Sequence, residues 1–279
     1  MIDVGSTQVV DAHHHLWDPA RAAYPWLTGD YAPIRRRFGP EDLAPGLAAA
    51  GVDRTILVQT RSSLEETREF LATAQATTFI AGVVGWVDLT DPAVAGTIAE
   101  LRAGPGGGHL VGIRHQVHDE PDPDWLLRPD VGRGLAAVAE AGLLYEFLVR
   151  TRELPAALTV ARRMPGTRFV IDHLAKPPIA SGELEPWHRL LAGFGPLDHV
   201  MTKLSGLVTE ADWRGWTVGD LQPYVDSALE VFGPQRLLFG SDWPVCLLAA
   251  PYAEVATAAR TLPCGLSEPE RAAIMGGTA

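Results

Sequence analysis

The chain has 279 residues, of which 47% are hydrophobic, and it carries a formal net charge of −11. This length and composition suffice for one large hydrophobic core, and we predict a single domain over residues 1–279. The negative charge disfavours nucleic acids and anionic membranes as partners, and no apolar run approaches the roughly 18 residues of a membrane span.

Cysteine content and the N-terminal sequence bear on the cellular compartment. Two cysteines, Cys246 and Cys264, are too few for a disulfide framework or a cysteine-rich metal site. The first residues lack the basic region and apolar stretch of a signal peptide. We therefore expect a cytoplasmic protein that acts on a small-molecule substrate and has no nucleic-acid or membrane partner. Assembly into a homo-oligomer is compatible with the sequence.

Short apolar runs alternate with longer amphipathic stretches along the chain. The predicted strands are residues 9–11, 55–59, 80–87, 110–114, 143–149, 168–172, 200–204 and 237–241. The predicted helices are residues 41–50, 63–76, 93–102, 131–141, 152–163, 185–193, 218–232 and 252–261. Several strands are continuously apolar, as in parallel sheets covered on both faces. Eight such units predict an α/β fold, a (β/α)8 TIM barrel.

An open doubly wound sheet is the alternative, but no Gly-x-Gly-x-x-Gly turn follows the first strand.

One segment fits neither strand nor helix periodicity. Residues 16–39 form a long predicted loop after the first strand, and their aromatic residues include Trp17, Tyr24, Trp26 and Tyr31. Long loops in compact domains are usually functional or disordered, and the aromatic residues here favour packing. We interpret this segment as a lid or pocket wall that includes Trp26, with a structural plug as the alternative.

Polar residues with catalytic potential follow three of the predicted strands. His13 and His15 end the first strand, and because strand side chains alternate, both point to the same side while His14 points away. His173 ends strand six and Asp242 follows strand eight. Barrel active sites are built at the C-terminal ends of strands, so we predict that these four groups converge there.

Further candidates lie on the same predicted rim. Arg114 ends strand four and can bind a carbonyl or carboxylate, or pair with an acid between barrel loops. Lys203 lies within apolar strand seven, where a charge is costly unless it is paired or functional, and we predict a substrate contact. Gln59, at the end of strand two, and Trp86, in strand three, are predicted to line the pocket; ordinary packing or surface roles are the alternative.

Four motifs resemble a known family. They are Asp-x-His-x-His at residues 11–15, Ile-Asp-His-Leu-Ala-Lys-Pro at 171–177, Lys-Leu-Ser-Gly at 203–206 and Phe-Gly-Ser-Asp-Trp-Pro at 239–244. In this order they resemble the amidohydrolase superfamily, and within it the sugar-lactonase branch of L-fuconolactonase-like proteins. The resemblance covers nearly the whole chain and implies an amidohydrolase-type barrel that hydrolyses a cyclic ester. Relatives in this branch include pyrone-dicarboxylate lactonases and decarboxylases.

The sequence departs from the metal-dependent members of that superfamily on strand five. Those members usually place a histidine or a modified lysine there, whereas this strand carries Glu146, an oxygen ligand or a polar contact. One divalent ion, with zinc as the first choice, is predicted on His13, His15 and Asp242. Metal-free catalysis is the alternative, because a lactone is an activated ester and some lactonases of the branch work without metal.

The predicted reaction is the opening of a small sugar-derived aldonolactone, such as L-fuconolactone or L-rhamnonolactone. Asp242 acts as general base on water, His173 returns a proton to the leaving group, and Arg114 helps to polarise the carbonyl group. A dicarboxylate lactonase or decarboxylase on the same barrel is the enzymatic alternative and requires two or more cations in the pocket. A sugar-binding protein without turnover is the non-enzymatic alternative.

Overall fold

The computed structural model describes residues 8–279, and its central feature is one sheet of eight parallel strands. The strands follow chain order around the sheet and are β1 (Val10–His14), β2 (Arg54–Val58), β3 (Ile80–Gly85), β4 (Leu110–His115), β5 (Leu144–Phe147), β6 (Phe169–Ile171), β7 (Val200–Leu204) and β8 (Leu237–Phe239). Each predicted strand overlaps one of these. The predicted alternation is confirmed.

The sheet closes into a barrel through the residues that follow β8. The backbone of His14 pairs in parallel with that of Trp243. The amide of His15 donates to the carbonyl of Trp243 at 2.7 Å, and the amide of Asp242 donates to the carbonyl of His13 at 2.8 Å. The predicted (β/α)8 barrel is therefore confirmed, and the open sheet is excluded.

Helices connect successive strands. The described part of the chain contains α1 (Pro40–Ala50), α2 (Leu64–Ala76), α3 (Val94–Ala103), α4 (Pro129–Glu140), α5 (Leu154–Arg163), α6 (Trp187–Ala192), α7 (Leu207–Glu210), α8 (Val218–Phe232), α9 (Tyr252–Thr261) and α10 (Glu268–Ala272). The short helices α7 and α10 were not predicted, because one turn carries too little periodicity to detect. Within residues 8–279 no helix is long and apolar enough to cross a membrane.

Local chemistry explains where several helices begin and end. The Ser63 hydroxyl accepts a hydrogen bond from the amide of Glu66 at 3.2 Å and so caps the first turn of α2. Gly51 ends α1 in the left-handed region, with φ of 63°, where a residue without Cβ is favoured. These signals are local in sequence, which is why the helix positions could be predicted.

The barrel interior changes character along its axis. Ala12, Val170 and Leu238 form a small apolar cluster of buried side chains. Two positions beyond Val170, the side chain of Asp172 is fully buried, and Lys203 is also buried. Because side chains two positions apart on a strand share a face, the strands deliver charges to the interior above the apolar layer. The C-terminal half of the barrel is therefore strongly polar.

The long segment after β1 packs against the barrel through its aromatic side chains. Trp17 and Phe38 are buried and their backbones pair in an antiparallel bridge. The Trp26 ring lies edge-on to that of Trp17, with 5.1 Å between ring centroids. Trp26 and Tyr31 also line the cavity at the barrel mouth. The segment thus combines both predicted roles, a packed plug on one side and a pocket wall on the other.

Candidate active site

The histidines after β1 and β6 and the carboxylate after β8 meet at the C-terminal mouth of the barrel. Nε2 of His13 and Nε2 of His15 lie 3.1 Å apart. Oδ1 of Asp242 lies 3.3 Å from Nε2 of His15, 3.7 Å from Nε2 of His13 and 4.0 Å from Nε2 of His173. All four side chains are buried. The structure therefore brings together the four groups that the motifs singled out.

Hydrogen bonds on β2 orient the imidazole rings of β1. Nδ1 of His15 lies 2.8 Å from the carbonyl oxygen of Val58, and because a carbonyl only accepts, Nδ1 carries the proton. Nε2 of His15 then presents its lone pair to Asp242 when the ring is neutral. His14 points away from the mouth, where its Nε2 meets the hydroxyl of Thr55 at 2.9 Å. This is the alternation that the sequence predicted.

The turn that follows β6 is strained. Four consecutive residues, 173–176, have positive φ angles between 50° and 59°, and Asp242 has φ of 55°. Each such residue other than glycine costs on the order of 1–2 kcal/mol. Nδ1 of His173 lies 2.8 Å from the hydroxyl of Ser205, and a Cβ on Gly206 would lie only 2.7 Å from the same nitrogen. The Lys-Leu-Ser-Gly motif therefore supports His173 and leaves room for its ring.

A network of buried charges lies beside His13. Nη1 of Arg114 donates to Oδ2 of Asp172 at 2.8 Å, and Nζ of Lys203 lies 3.0 Å from Oδ1 of the same carboxylate. Lys203 also pairs with Glu146. Nδ1 of His13 lies 3.4 Å from Oδ1 of Asp172 and 3.1 Å from Nζ of Lys203. Two cations and two carboxylates thus compensate one another inside the barrel and fix the ring of His13.

Sequence reasoning missed Asp172 as a site residue, although it is part of the Ile-Asp-His motif. A signal was present, because a carboxylate two positions beyond an interior residue of a parallel strand enters the barrel. The left-handed backbone at residues 173–176 breaks the strand alternation after that point. His173 therefore reaches the same interior as Asp172, which a strict alternating pattern does not allow.

Burial sets the protonation of these groups. Burial, reinforced by Lys203, lowers the pKa of His13 well below its usual value, and burial lowers the pKa of His173 to about 4. Burial alone would raise the pKa of Asp242, but His173 and His15 outweigh it and hold the pKa below the usual carboxyl value. At neutral pH, Asp242 is therefore charged, while His13 and His173 are neutral. The site combines a proton acceptor with imidazoles that can donate or ligate.

A cavity of about 200 Å³ opens above this cluster. Its lining comprises a floor that carries the histidine–carboxylate cluster, an aromatic wall and a polar wall, formed by His15, Trp26, Tyr31, Thr60, Arg114, Gln116, His118, Asp119, Leu148, Arg150, His173, Lys176, Asp242 and Val245. Most residues of the polar wall lie in the loops that follow β4, β5 and β6. They were not predicted as a wall, because such loops have no periodic pattern.

The residues predicted to bind substrate are distributed unevenly. Trp26 and Arg114 line the cavity, whereas its lining within residues 8–279 does not include Gln59, Trp86 or Lys203. Gln59 is buried against the backbone carbonyl of Arg114, and Trp86 donates its indole N–H to His115 at 3.0 Å. Lys203 lies within the barrel, in the charge network. These three side chains are placed to support the site rather than to form its walls.

The donor set at the barrel mouth suits a divalent metal ion. His13, His15 and Asp242 each offer a ligand atom, and these atoms all lie within 4.8 Å of one another. Two imidazole nitrogens and one carboxylate oxygen form a typical set for catalytic zinc, which keeps a further position for water. The bond from His15 to the Val58 carbonyl is the kind of second contact that orients a metal-binding imidazole. The residues present therefore fit such an ion.

The closed (β/α)8 barrel with a histidine–carboxylate cluster at its C-terminal mouth places this protein among the barrel proteins that build their active sites at that face. A family model described as amidohydrolase matches residues 10–279. The chain belongs to the amidohydrolase family. The resemblance seen in the four motifs is thereby confirmed.

Individual relatives are similar over nearly their full length. The chain is 41% identical to an L-fucono-1,5-lactonase of Burkholderia multivorans over 97% of this chain and 94% of the relative. It is 42% identical to an L-fucono-1,5-lactonase of Burkholderia ambifaria over 88% and 83% of the two chains. A crystal structure of an amidohydrolase from Burkholderia multivorans with bound Zn is 40% identical, covers 97% of each chain and superposes with a TM-score of 0.91.

Proposed function

We propose that this protein hydrolyses a lactone of a sugar acid, with an aldonolactone such as L-fuconolactone or L-rhamnonolactone as the substrate. The observation that carries the proposal is the contact of the Asp242 carboxylate with three imidazoles at the floor of a cavity. The similarity to two L-fucono-1,5-lactonases supports the substrate class.

Asp242 acts as the general base in this proposal. Its carboxylate takes a proton from the attacking water, whose oxygen bonds to the lactone carbonyl carbon while the carbonyl π electrons move to oxygen. As the carbonyl re-forms, the ring C–O bond breaks and the leaving oxygen takes up a proton. General base catalysis by a positioned carboxylate contributes about 10² to 10⁴ in rate. The resulting acid loses its proton to solvent.

The histidines have separate roles in this scheme. His173, neutral and bonded at Nδ1 to Ser205, faces Asp242 and passes the proton to the leaving oxygen. His13 and His15 also contact Asp242; with its proton on Nδ1, neutral His15 offers Nε2 as a ligand atom and cannot donate a hydrogen bond to the carbonyl group, so the polarisation falls to Arg114. Arg114 lines the cavity floor and adds positive charge there, while its bond to Asp172 holds the support of His13 in place.

His13, His15 and Asp242 are also the residues that would hold a divalent ion, with zinc as our proposal. Such an ion would lower the pKa of bound water and withdraw charge from the carbonyl oxygen. A requirement for zinc is part of the proposal, and metal-free catalysis is its alternative. The zinc in the similar Burkholderia multivorans structure supports binding.

Trp26 and Tyr31 provide the aromatic wall on which we place the sugar. The indole N–H of Trp26 donates to the carbonyl of Thr60 at 3.1 Å, so the ring is held at the cavity wall. Gln59, Trp86 and Lys203 act indirectly in this proposal, by holding the strands and rings that carry the site.

The organisation of the chain as a single domain and its assembly into a homo-oligomer are also proposals. Limited proteolysis tests the first, and light scattering tests the second.

A panel of aldonolactones with a pH indicator tests the function, with and without prior chelation. We expect rapid acid release from at least one lactone of five- or six-membered ring size, far above the spontaneous rate. Binding of these lactones without acid release would instead identify a sugar-binding protein. The absence of both turnover and binding across the panel would overturn the proposal.

A dicarboxylate lactone belongs in the same panel, because Arg150 and Lys176 place two cations on the cavity wall. Of the cations named from the sequence, Arg114 also lines this cavity, whereas Lys203 lies within the barrel. Preference for the dicarboxylate over every neutral aldonolactone would favour the dicarboxylate lactonase.

A further inference from the structure

Lysine is scarce in this protein, and both of its lysines belong to the catalytic end of the barrel. Lys and Arg together number 23, yet only Lys176 and Lys203 are lysines. Lys203 is paired with Glu146 and Asp172 in the charge network beside His13. Lys176 lines the active-site cavity together with Asp242 and His173. Nearly all other strongly basic residues of the chain are arginines. A lysine at residue 176 therefore indicates that this position requires a compact ammonium group.

The strained turn after β6 brings Lys176 to that cavity. Residues 173–176 all adopt the left-handed conformation, which rarely persists beyond a single residue. His173 begins this turn and Lys176 ends it, and both side chains line the cavity. Backbone strain of this kind clusters at functional sites, where the surrounding structure enforces it. Here its visible result is that an imidazole and an ammonium share one pocket with Asp242.

A carboxylate from the neighbouring helix holds the ammonium in place. Nζ of Lys176 donates to Oε1 of Glu210, the last residue of α7, at 2.7 Å. Both side chains are mostly buried, with 16% and 17% exposed. Although burial lowers the pKa of Lys176, Glu210 and Asp242 outweigh it and hold the pKa above its usual value. The group is therefore a fixed positive charge at neutral pH.

The two terminal nitrogens of Arg114, on the cavity floor, are bonded to protein atoms, whereas the ammonium of Lys176 uses one of its N–H groups, toward Glu210. Nη1 of Arg114 is bonded to Asp172 and approaches His13, and Nη2 is bonded to the carbonyl of Gln59. An ammonium has three N–H donors, and Glu210 occupies one. The remaining two are available to a molecule in the cavity.

We propose that Lys176 is a further catalytic residue, whose ammonium donates hydrogen bonds to the lactone carbonyl oxygen as that oxygen becomes negatively charged. Lys176 keeps its proton throughout, and no bond to it forms or breaks. After ring opening the same donors bind the carboxylate of the product. Glu210 is the positioning residue that aims the ammonium. This inference rests on the proposed lactone hydrolysis and adds a residue to it.

Lys176→Met is the first test, because methionine keeps much of the length and the apolar stem but removes the charge. Loss of one donor to an oxyanion lowers kcat by about 10² to 10³, and we expect this loss with a much smaller change in KM. Arg128→Met removes a charge from an exposed pair with Asp130 and should leave both constants unchanged. Glu210→Gln, which weakens the anchor, should give an intermediate loss of kcat.

Chemical rescue separates a catalytic from a structural role. In Lys176→Ala, added propylammonium should restore part of kcat in a saturable way, whereas tetramethylammonium, which has no N–H donor, should not. Folded Lys176→Met that keeps more than a tenth of kcat would overturn the proposal. Equal effects of the two ammonium ions would do so as well.

Binding gives a readout that is independent of turnover. Reductive ¹³C-methylation labels accessible amines, and Lys176 is the expected lysine signal because Lys203 is buried in ion pairs. Sodium galactonate should shift the Lys176 signal, and an unshifted signal under saturating galactonate would contradict product binding there. A wild-type protein that hydrolyses no lactone refutes the proposed function and this inference together. Wild-type turnover with an unaffected Lys176→Met refutes this inference alone.

Discussion

Nε2 of His15 lies 3.3 Å from Oδ1 of Asp242, although one residue follows the first strand of the barrel and the other follows the last. The carbonyl of Val58 on β2 fixes the proton of His15 on Nδ1, so Nε2 faces the carboxylate with its lone pair. The closure of the barrel therefore brings the proposed base and this imidazole nitrogen together as two of the atoms that could hold a metal ion.

Replacement of Asp242 by asparagine should abolish most turnover while the fold persists. Asparagine keeps the shape and one acceptor but cannot take a proton from water, so kcat should fall by about 10² to 10⁴. The measurement is kcat and KM on the best lactone, with circular dichroism to verify folding. A folded variant that retains more than about a tenth of wild-type kcat would show that another residue is the base.

Metal binding should depend on His15 and not on its neighbour His14. His15→Gln removes one of the three ligands and should lose the bound zinc, measured as metal per chain by elemental analysis. His14→Gln is the matched control, because His14 points to Thr55 and away from Asp242. Equal metal content in the two variants would contradict the site. Full activity of verified metal-free wild type would leave only the acid–base mechanism.

Asp172→Asn should destabilise the protein strongly. The change leaves Arg114 and Lys203 without the carboxylate that they share inside the barrel. Loss of one partner from a buried ion pair costs about 3–5 kcal/mol in the free energy of unfolding. Denaturant titration measures this loss, and Asp130→Asn, which removes an exposed ion pair with Arg128, should have little effect. Similar losses in the two variants would argue against the network.

Acid should destabilise the protein as the pH falls below about 6.5, in part through His14. Burial lowers the pKa of His14 to about 3, so between these pH values the unfolded chain binds a proton that the folded chain does not. Stability from this residue is present at high pH and is lost as pH falls, by about 1.4 kcal/mol for each pH unit.

Urea unfolding at several pH values measures this dependence, and the slope should be shallower in His14→Gln. The pKa of Glu146, raised to about 7 by burial and by Asp172, acts in the opposite direction, so only the difference between variant and wild type isolates His14. An identical slope in the two proteins would show that His14 does not contribute.

The barrel and the four groups at its mouth were predictable because their signals are local. Apolar runs of strand length, glycines after helices and alternation along β1 are short-range patterns, and parallel strands necessarily place their C-terminal ends on one rim. His13, His15, His173 and Asp242 could be selected on that basis alone. The family resemblance added the reaction class.

The supporting residues depended on contacts between distant parts of the chain. Whether Lys203 meets a substrate or Asp172, and whether Gln59 faces the cavity or the backbone of β4, follows from barrel closure and packing. The left-handed turn after β6 and the bond between Lys176 and Glu210 likewise leave no periodic signal. Sequence by itself determined the fold and the four groups that meet at the barrel mouth, because these follow from local periodicity. Only the tertiary structure decided which charges compensate one another and which remain available, because ion pairing depends on distances in three dimensions.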